Sequence, residues 1–100
     1  MHKFCFSLVC PPEIEETLLD ALVVAFESDV FTSVPVFSHG TPTGKLSAAE
    51  QVMGRSRSCL VQIVVTHSEA DELRALLRRD FVGTGIQFWS TALVDEGGVL

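Results

Sequence analysis

The sequence predicts an α+β fold on the ferredoxin-like βαββαβ plan, a four-stranded antiparallel sheet with two helices on one face and a long loop between the second and third strands. Three observations carry this. Two amphipathic helical stretches each lie between apolar, strand-like runs. The runs Phe31–Phe37 and Cys59–Val65 follow one another with no helical pattern long enough for a crossover between them. With right-handed crossovers the spatial order is fourth, first, third, second, and the one strand containing a proline, Pro35, falls on an edge.

Each element has its own signal. Lys3–Val9 alternates, with Phe4, Phe6 and Leu8 on one face, and predicts the first strand. Pro12–Ser28 predicts a helix: prolines open it, Glu13, Glu15 and Glu16 occupy the first turn where the dipole favours anions, and Ile14, Leu18, Leu22 and Phe26 recur at helical spacing. Phe31–His39 is the second strand. Cys59–Thr66, apolar and β-branched apart from Gln62, suits a central strand. Ser68 is read as the cap of a second helix running to about Asp80, with acids early, Arg74, Arg78 and Arg79 late, and Leu73, Leu76, Leu77 and Phe81 as its apolar face. Gly83-Thr84-Gly85 turns the chain into a last strand, Ile86–Val94, and "DEGGVL" forms a loose tail.

At 100 residues the chain is expected to form one domain, 1–100, and its 47% hydrophobic content is ample for a core. Thirteen acidic against seven basic residues leave a net charge of −6, which argues against a nucleic-acid footprint. No apolar run approaches the roughly 20 residues of a membrane span. The N-terminal apolar run is cut off by Pro11-Pro12 and lacks a small-residue cleavage site, so a cytoplasmic protein without membrane insertion is expected.

Both faces of the expected sheet are largely apolar: Phe4, Phe6 and Leu8 against Cys5 and Val9, and Val61, Ile63 and Val65 against Leu60 and Val64. Helices cover only one. The other predicts self-association, the alternative being that the loop or tail folds across it.

The plan also gathers Cys10, His39, the long loop, Arg55, Arg57, Cys59 and Gly83-Thr84-Gly85 at one end of the sheet, leaving His2 and His67 at the other. Gly40–Ser58, "GTPTGKLSAAEQVMGRSRS", carries three of the seven basic residues, Lys45, Arg55 and Arg57. It is not a Walker P-loop: only three residues separate Gly40 from Gly44, and Leu46 stands where a magnesium-binding Ser or Thr belongs. Ser47–Glu50 reads as a capping box opening a short helix that Gly54 ends. Three cations near a glycine turn are able to hold an anion through guanidinium forks and backbone N–H groups. They also suit a plain solvated loop that pairs with the acidic first helix of a neighbour. Cys10, His39 and Cys59 are the donor types of a zinc or copper site, and equally of buried thiols beside a surface imidazole. Cys5 and Cys10 lie an odd offset apart on one strand, on opposite faces and roughly 16 Å apart, so they cannot bridge. With no nucleophile beside a base that a third group orients, the chain reads as a non-enzyme.

At "FTSVPVFSHG", "LSAAEQVMGRSRS" and "GTGIQFW" the sequence resembles the PII-like group, in particular small uncharacterised proteins found beside heavy-metal efflux systems of the resistance-nodulation-division type. The resemblance spans nearly the whole chain. It implies a regulatory signal-transduction subunit that assembles as a homotrimer and takes a small effector, often an adenine nucleotide, in clefts between subunits. It further implies that the loop between the second and third strands reports binding to a protein target. On this reading Lys45, Arg55, Arg57 and the Gly83-Thr84-Gly85 turn are the effector-binding residues. True PII proteins carry a modifiable tyrosine in the loop, and this chain has no tyrosine. The efflux association sharpens the alternative of a soft-metal sensor or buffer using His39 with Cys10 or Cys59. A further alternative is a structural trimer that docks on a transporter.

Overall fold

The computed structural model describes residues 2–27, 29–40 and 55–100. Its elements follow the order β1 (Lys3–Cys10), α1 (Pro12–Ala25), β2 (Phe31–His39), β3 (Arg55–Thr66), α2 (His67–Asp80) and β4 (Gln87–Ala92). The sheet order is β2-β3-β1-β4, antiparallel throughout. Pro35 therefore lies on an edge strand, the place in a sheet where proline is tolerated.

The side-chain period of two places alternate residues of β1 and β3 in the core. Phe6, Leu8 and Cys10 of β1 and Cys59, Val61, Ile63 and Val65 of β3 are buried against Leu18, Leu22 and Phe26 from the first helical segment and Ala70, Leu73 and Leu77 from α2. Both helices thus cover one sheet face. On β4, Phe88 stacks on Phe6 at 5.3 Å, and Arg74 of α2 lies over the other aromatic of that pair, Phe6, at 5.6 Å.

The element ends differ from the expected ones for local reasons. α1 stops at Ala25 rather than Ser28: the next residue, Phe26, leaves helical geometry (φ −129°) and turns its ring into the core. The cap of α2 is Thr66, not Ser68. Thr66 Oγ1 accepts the Glu69 N–H (3.2 Å) and Glu69 Oε1 accepts the Thr66 N–H (2.9 Å), a complete capping box. A residue that ends β3 thereby starts α2, with no loop between them.

β3 begins at Arg55, four residues before the apolar run that signals it. Arg55–Ser58 pairs with Val36–His39 beyond the last β1 partner, Cys10, so the two strands continue past the β1–β3 ladder as an arm roughly 13 Å long. β4 is shorter than expected, but the Leu93 N–H still reaches the Lys3 carbonyl at 3.0 Å. Residues 93–100 form no regular element, and the exposed Lys3–Glu96 pair (3.6 Å) is a weak tether.

The second sheet face is uncovered by any described element and is more structured than a uniform apolar surface. One rung is polar, Thr32–Gln62–Ser7–Trp89, and the Gln62 side-chain amide donates to Ser7 Oγ at 3.2 Å. Apolar residues flank it: Val34, Leu60 and Val9 in one neighbouring rung, and Val64 and Cys5 on the other side. Ser7 is buried even so, with the Gln62 amide on its hydroxyl and Trp89 as its cross-strand neighbour.

These packing differences predict different mutational costs. Leu22→Ala should destabilise the protein by about 2–5 kcal/mol in urea unfolding, and Thr66→Ala by about 1 kcal/mol, whereas Val24→Ala on the exposed side of α1 should change little.

Candidate functional site

The end of the sheet from which the arm projects gathers most of the residues that the sequence singles out. The arm is a two-stranded ribbon. Ser38 and Ser58 share a 2.7 Å hydroxyl–hydroxyl hydrogen bond on one face. Residues facing the helix side are Phe37 and His39 on β2 and Arg55 and Arg57 on β3, with Phe37 opposite Arg57 and His39 opposite Arg55. The Arg55 guanidinium lies over the Phe37 ring at 4.1 Å, a cation–π contact worth about 0.5–1 kcal/mol at an exposed site. Phe37 is thus the base on which one cation of the arm rests. Its alternation within β2 was visible in sequence, but the ring's diagonal neighbour was not.

The glycine turn stands at the same end. Phe81–Thr84 is a type II turn, with the Thr84 N–H donating to the Phe81 carbonyl (3.4 Å) and Gly83 at the position that requires positive φ (+79°). Thr84 Oγ1 donates to the same carbonyl at 2.7 Å, so this hydroxyl's proton serves the turn itself. Gly85 (φ +85°) brings the chain against Pro11, directly after β1. A shallow concavity of about 190 Å³ lies beside the turn, lined by Leu77, Arg78, Phe81, Val82, Ile86 and Phe88. That is below the roughly 300–1,000 Å³ of ligand pockets.

The cysteines divide as their spacing requires. Cys10 and Cys59 face each other across β1 and β3 and are both buried, while Cys5 is opposite Val64 on the uncovered face. Burial, then the charge of Glu15, raises the Cys10 thiol above its ordinary value of 9.0, against a partial lowering by the Cys59 hydrogen bond. Burial, followed by hydrogen bonding to and the charge of Glu15, pushes Cys59 from 9.0 up to about 12. Both are therefore neutral thiols. Glu15 was read as a dipole-favoured residue of the first helical turn, and its contact with the thiols is tertiary and has no sequence signal.

His39 does not join them. It lies opposite Arg55, four residues and about 13 Å along β3 from Cys59, too far for the imidazole and the two sulfurs to share one ion. Among the described residues no group of three His, Cys, Asp or Glu side chains is arranged to hold a metal. Lys45 and the capping box Ser47–Glu50 lie outside the described residues.

The βαββαβ order with sheet order β2-β3-β1-β4 is a ferredoxin-like architecture, and solved PII-like proteins share this fold. The chain belongs to the family described as protein of unknown function (DUF3240), whose profile matches residues 1–100. Among solved structures it is similar to a DUF3240 family protein from Shewanella baltica OS155, at 13% identity and TM-score 0.77, with 98% of this chain and 97% of that one covered. It is also similar to CPII, a nitrogen regulatory PII-like protein from Thiomonas intermedia K12 bound to ADP, AMP and bicarbonate (13% identity, TM-score 0.70, 99% and 98% covered). A third is the GlnK–ATP complex of B. subtilis (16% identity, TM-score 0.65, 92% and 83% covered). No curated protein matches the sequence. No helix among the described residues is long and apolar enough to cross a membrane.

Two expectations follow from this geometry. Gly83→Ala meets no neighbouring atom, so its cost is backbone strain alone and should be about 1–2 kcal/mol by urea unfolding. The fold also holds Cys59 protonated at pH values where the unfolded chain ionises it. The stability this contributes is complete below pH 9.0 and lost as pH rises towards about 12. Unfolding free energy should fall across that window, and the fall should be shallower in Cys59→Ala.

Proposed function

We propose that this chain is a non-enzymatic PII-like regulatory protein that binds a small anionic effector, an adenine nucleotide, in a cleft between subunits beside its β2–β3 arm. The observation that carries the reading is the arm itself: a ribbon continuing past the β1–β3 ladder with Arg55 and Arg57 along one of its faces, projecting from the sheet end that also bears the Gly83-Thr84-Gly85 turn. Ribbon and turn are both backbone devices. A left-handed glycine lets the chain approach a phosphate closely, and guanidinium groups supply charge and paired donors. Lys45 adds a third cation from the loop, in a protein of net charge −6 that would otherwise repel a nucleotide.

The concavity beside the turn is too small for a nucleotide, which favours a cleft completed by a second subunit. The uncovered sheet face supplies a means of assembly. Val34, Leu60, Val9 and Val64 offer apolar area, and the Gln62–Ser7 pair fixes register. A homotrimer closed on this face, working in the cytoplasm, fits both features. Its target, on the sequence resemblance, is a heavy-metal efflux transporter contacted by the arm.

Isothermal titration of the full chain with ADP, ATP and AMP tests the effector. Binding should weaken with salt, and Arg57→Ala should cost about tenfold or more in affinity, the loss expected for one charge-assisted hydrogen bond. Binding unchanged by both would overturn the assignment to the arm. Light scattering tests the assembly: the chain should run at three times its 10.9 kDa mass, and Leu60→Asp on the uncovered face should shift it to monomer. A native chain that is monomeric at micromolar concentration would exclude the trimer.

A further inference from the structure

Cys10 and Cys59 are directly opposed in an antiparallel pair, on the last rung that β1 and β3 share. Opposed residues in such a ladder have Cα atoms about 4.5–5.5 Å apart, inside the roughly 4.4–6.8 Å span that a disulfide bridges. Both side chains enter the same core layer, both are buried, and both are free thiols in contact with each other. The rung adjoins the Pro11-Pro12 exit of β1, where the ladder ends and small backbone adjustments meet least resistance. Cys5 is excluded from this chemistry. It projects from the opposite sheet face, opposed to Val64.

We propose that Cys10 and Cys59 form a site of reversible oxidation, at which a peroxide converts the two facing thiols into one intrachain disulfide that staples β1 to β3 at the root of the arm. One sulfur, as thiolate, attacks the peroxide O–O bond. The leaving hydroxide takes up a proton and departs as water, and the sulfur becomes a sulfenic acid. The facing thiol then attacks that sulfur, the S–O bond breaks, and a second water carries away the remaining thiol proton. Two thiols lose two electrons and two protons, and one peroxide becomes two waters. A small thiol reductant reverses the bridge by exchange.

The surroundings set the speed. Glu15 and burial hold both sulfurs as thiols, so the site reacts slowly at neutral pH and responds to sustained oxidation rather than to a brief pulse. The consequence is local to the arm. Beyond this rung β3 pairs only with β2, through Val36–His39, and a covalent link fixes the point from which that ribbon springs.

The test exposes the full native chain to hydrogen peroxide, then counts alkylatable thiols after denaturation and maps peptides by mass spectrometry. The count should fall from three per chain to one, with Cys10 and Cys59 cross-linked and Cys5 alkylated, and dithiothreitol should restore three. Cys5→Ser, which leaves the core intact, should go from two to none. Cys59→Ser should form no intrachain link. The proposal is overturned if all three thiols persist through prolonged exposure, many times longer than the time in which the same peroxide oxidises a free cysteine peptide. It is equally overturned if the link involves Cys5 or joins two chains, or if a single cysteine advances to sulfinic acid without bridging. None of these outcomes depends on whether a nucleotide binds.

Discussion

The pairing of β1 with β3 is the interaction on which the rest of this molecule depends. Its rungs run from Lys3–Thr66 to Cys10–Cys59, and each end of the ladder starts something else. At one end Thr66 finishes the strand and caps α2 in the same residue. At the other, β1 stops and β3 does not, and that mismatch creates the arm. Alternate side chains of the two strands, Phe6, Leu8, Val61, Ile63 and Val65, form the floor on which both helices pack. Displacing the register by one residue would turn this floor out to solvent, so the apolar pattern specifies the pairing strongly.

The arm begins where the β1–β3 ladder ends. Inside the ladder the residues are apolar and buried. Beyond Cys59 the strand is polar, Arg55-Ser56-Arg57-Ser58, and β1 no longer pairs with it. Its organisation is instead local: the Ser38–Ser58 hydrogen bond on one side and Arg55 over Phe37 on the other. Such a ribbon brings cationic groups clear of an acidic body, which suits an element that meets an anion or a partner. The glycine turn does the complementary work on the other side of the sheet end, bringing backbone rather than side chains to the surface.

The uncovered sheet face and the buried thiol pair show how one sheet serves two environments. The face packed by the helices admits Cys10 and Cys59 as small apolar groups and keeps them un-ionised. The other face carries Cys5, Trp89 and the Gln62–Ser7 hydrogen bond between apolar rungs. A polar rung in the middle of an apolar surface favours a partner that matches it in register over non-specific adhesion.

Much of the architecture was determined by the sequence itself, because periodicity and proline chemistry act locally. The alternation of Phe4, Phe6 and Leu8, the helical spacing of Leu18, Leu22 and Phe26, and Pro35 on an edge strand suffice for the element order and the strand order. The presence of Cys10, Arg55, Arg57 and the glycine turn at one sheet end follows from that order. Tertiary structure decided the rest. The polar start of β3 has no apolar signal, since it pairs without a core to bury. Thr66-His67-Ser68-Glu69 has the spacing of a capping box, but Thr66 also reads as strand, so it is the structure that assigns the cap to Thr66. The separation of His39 from the cysteines, the seat of Arg55 on Phe37 and the approach of Glu15 to the thiols depend on register and helix placement. Contacts of that kind join residues distant in sequence, and only the closed ladder sets the distances between them.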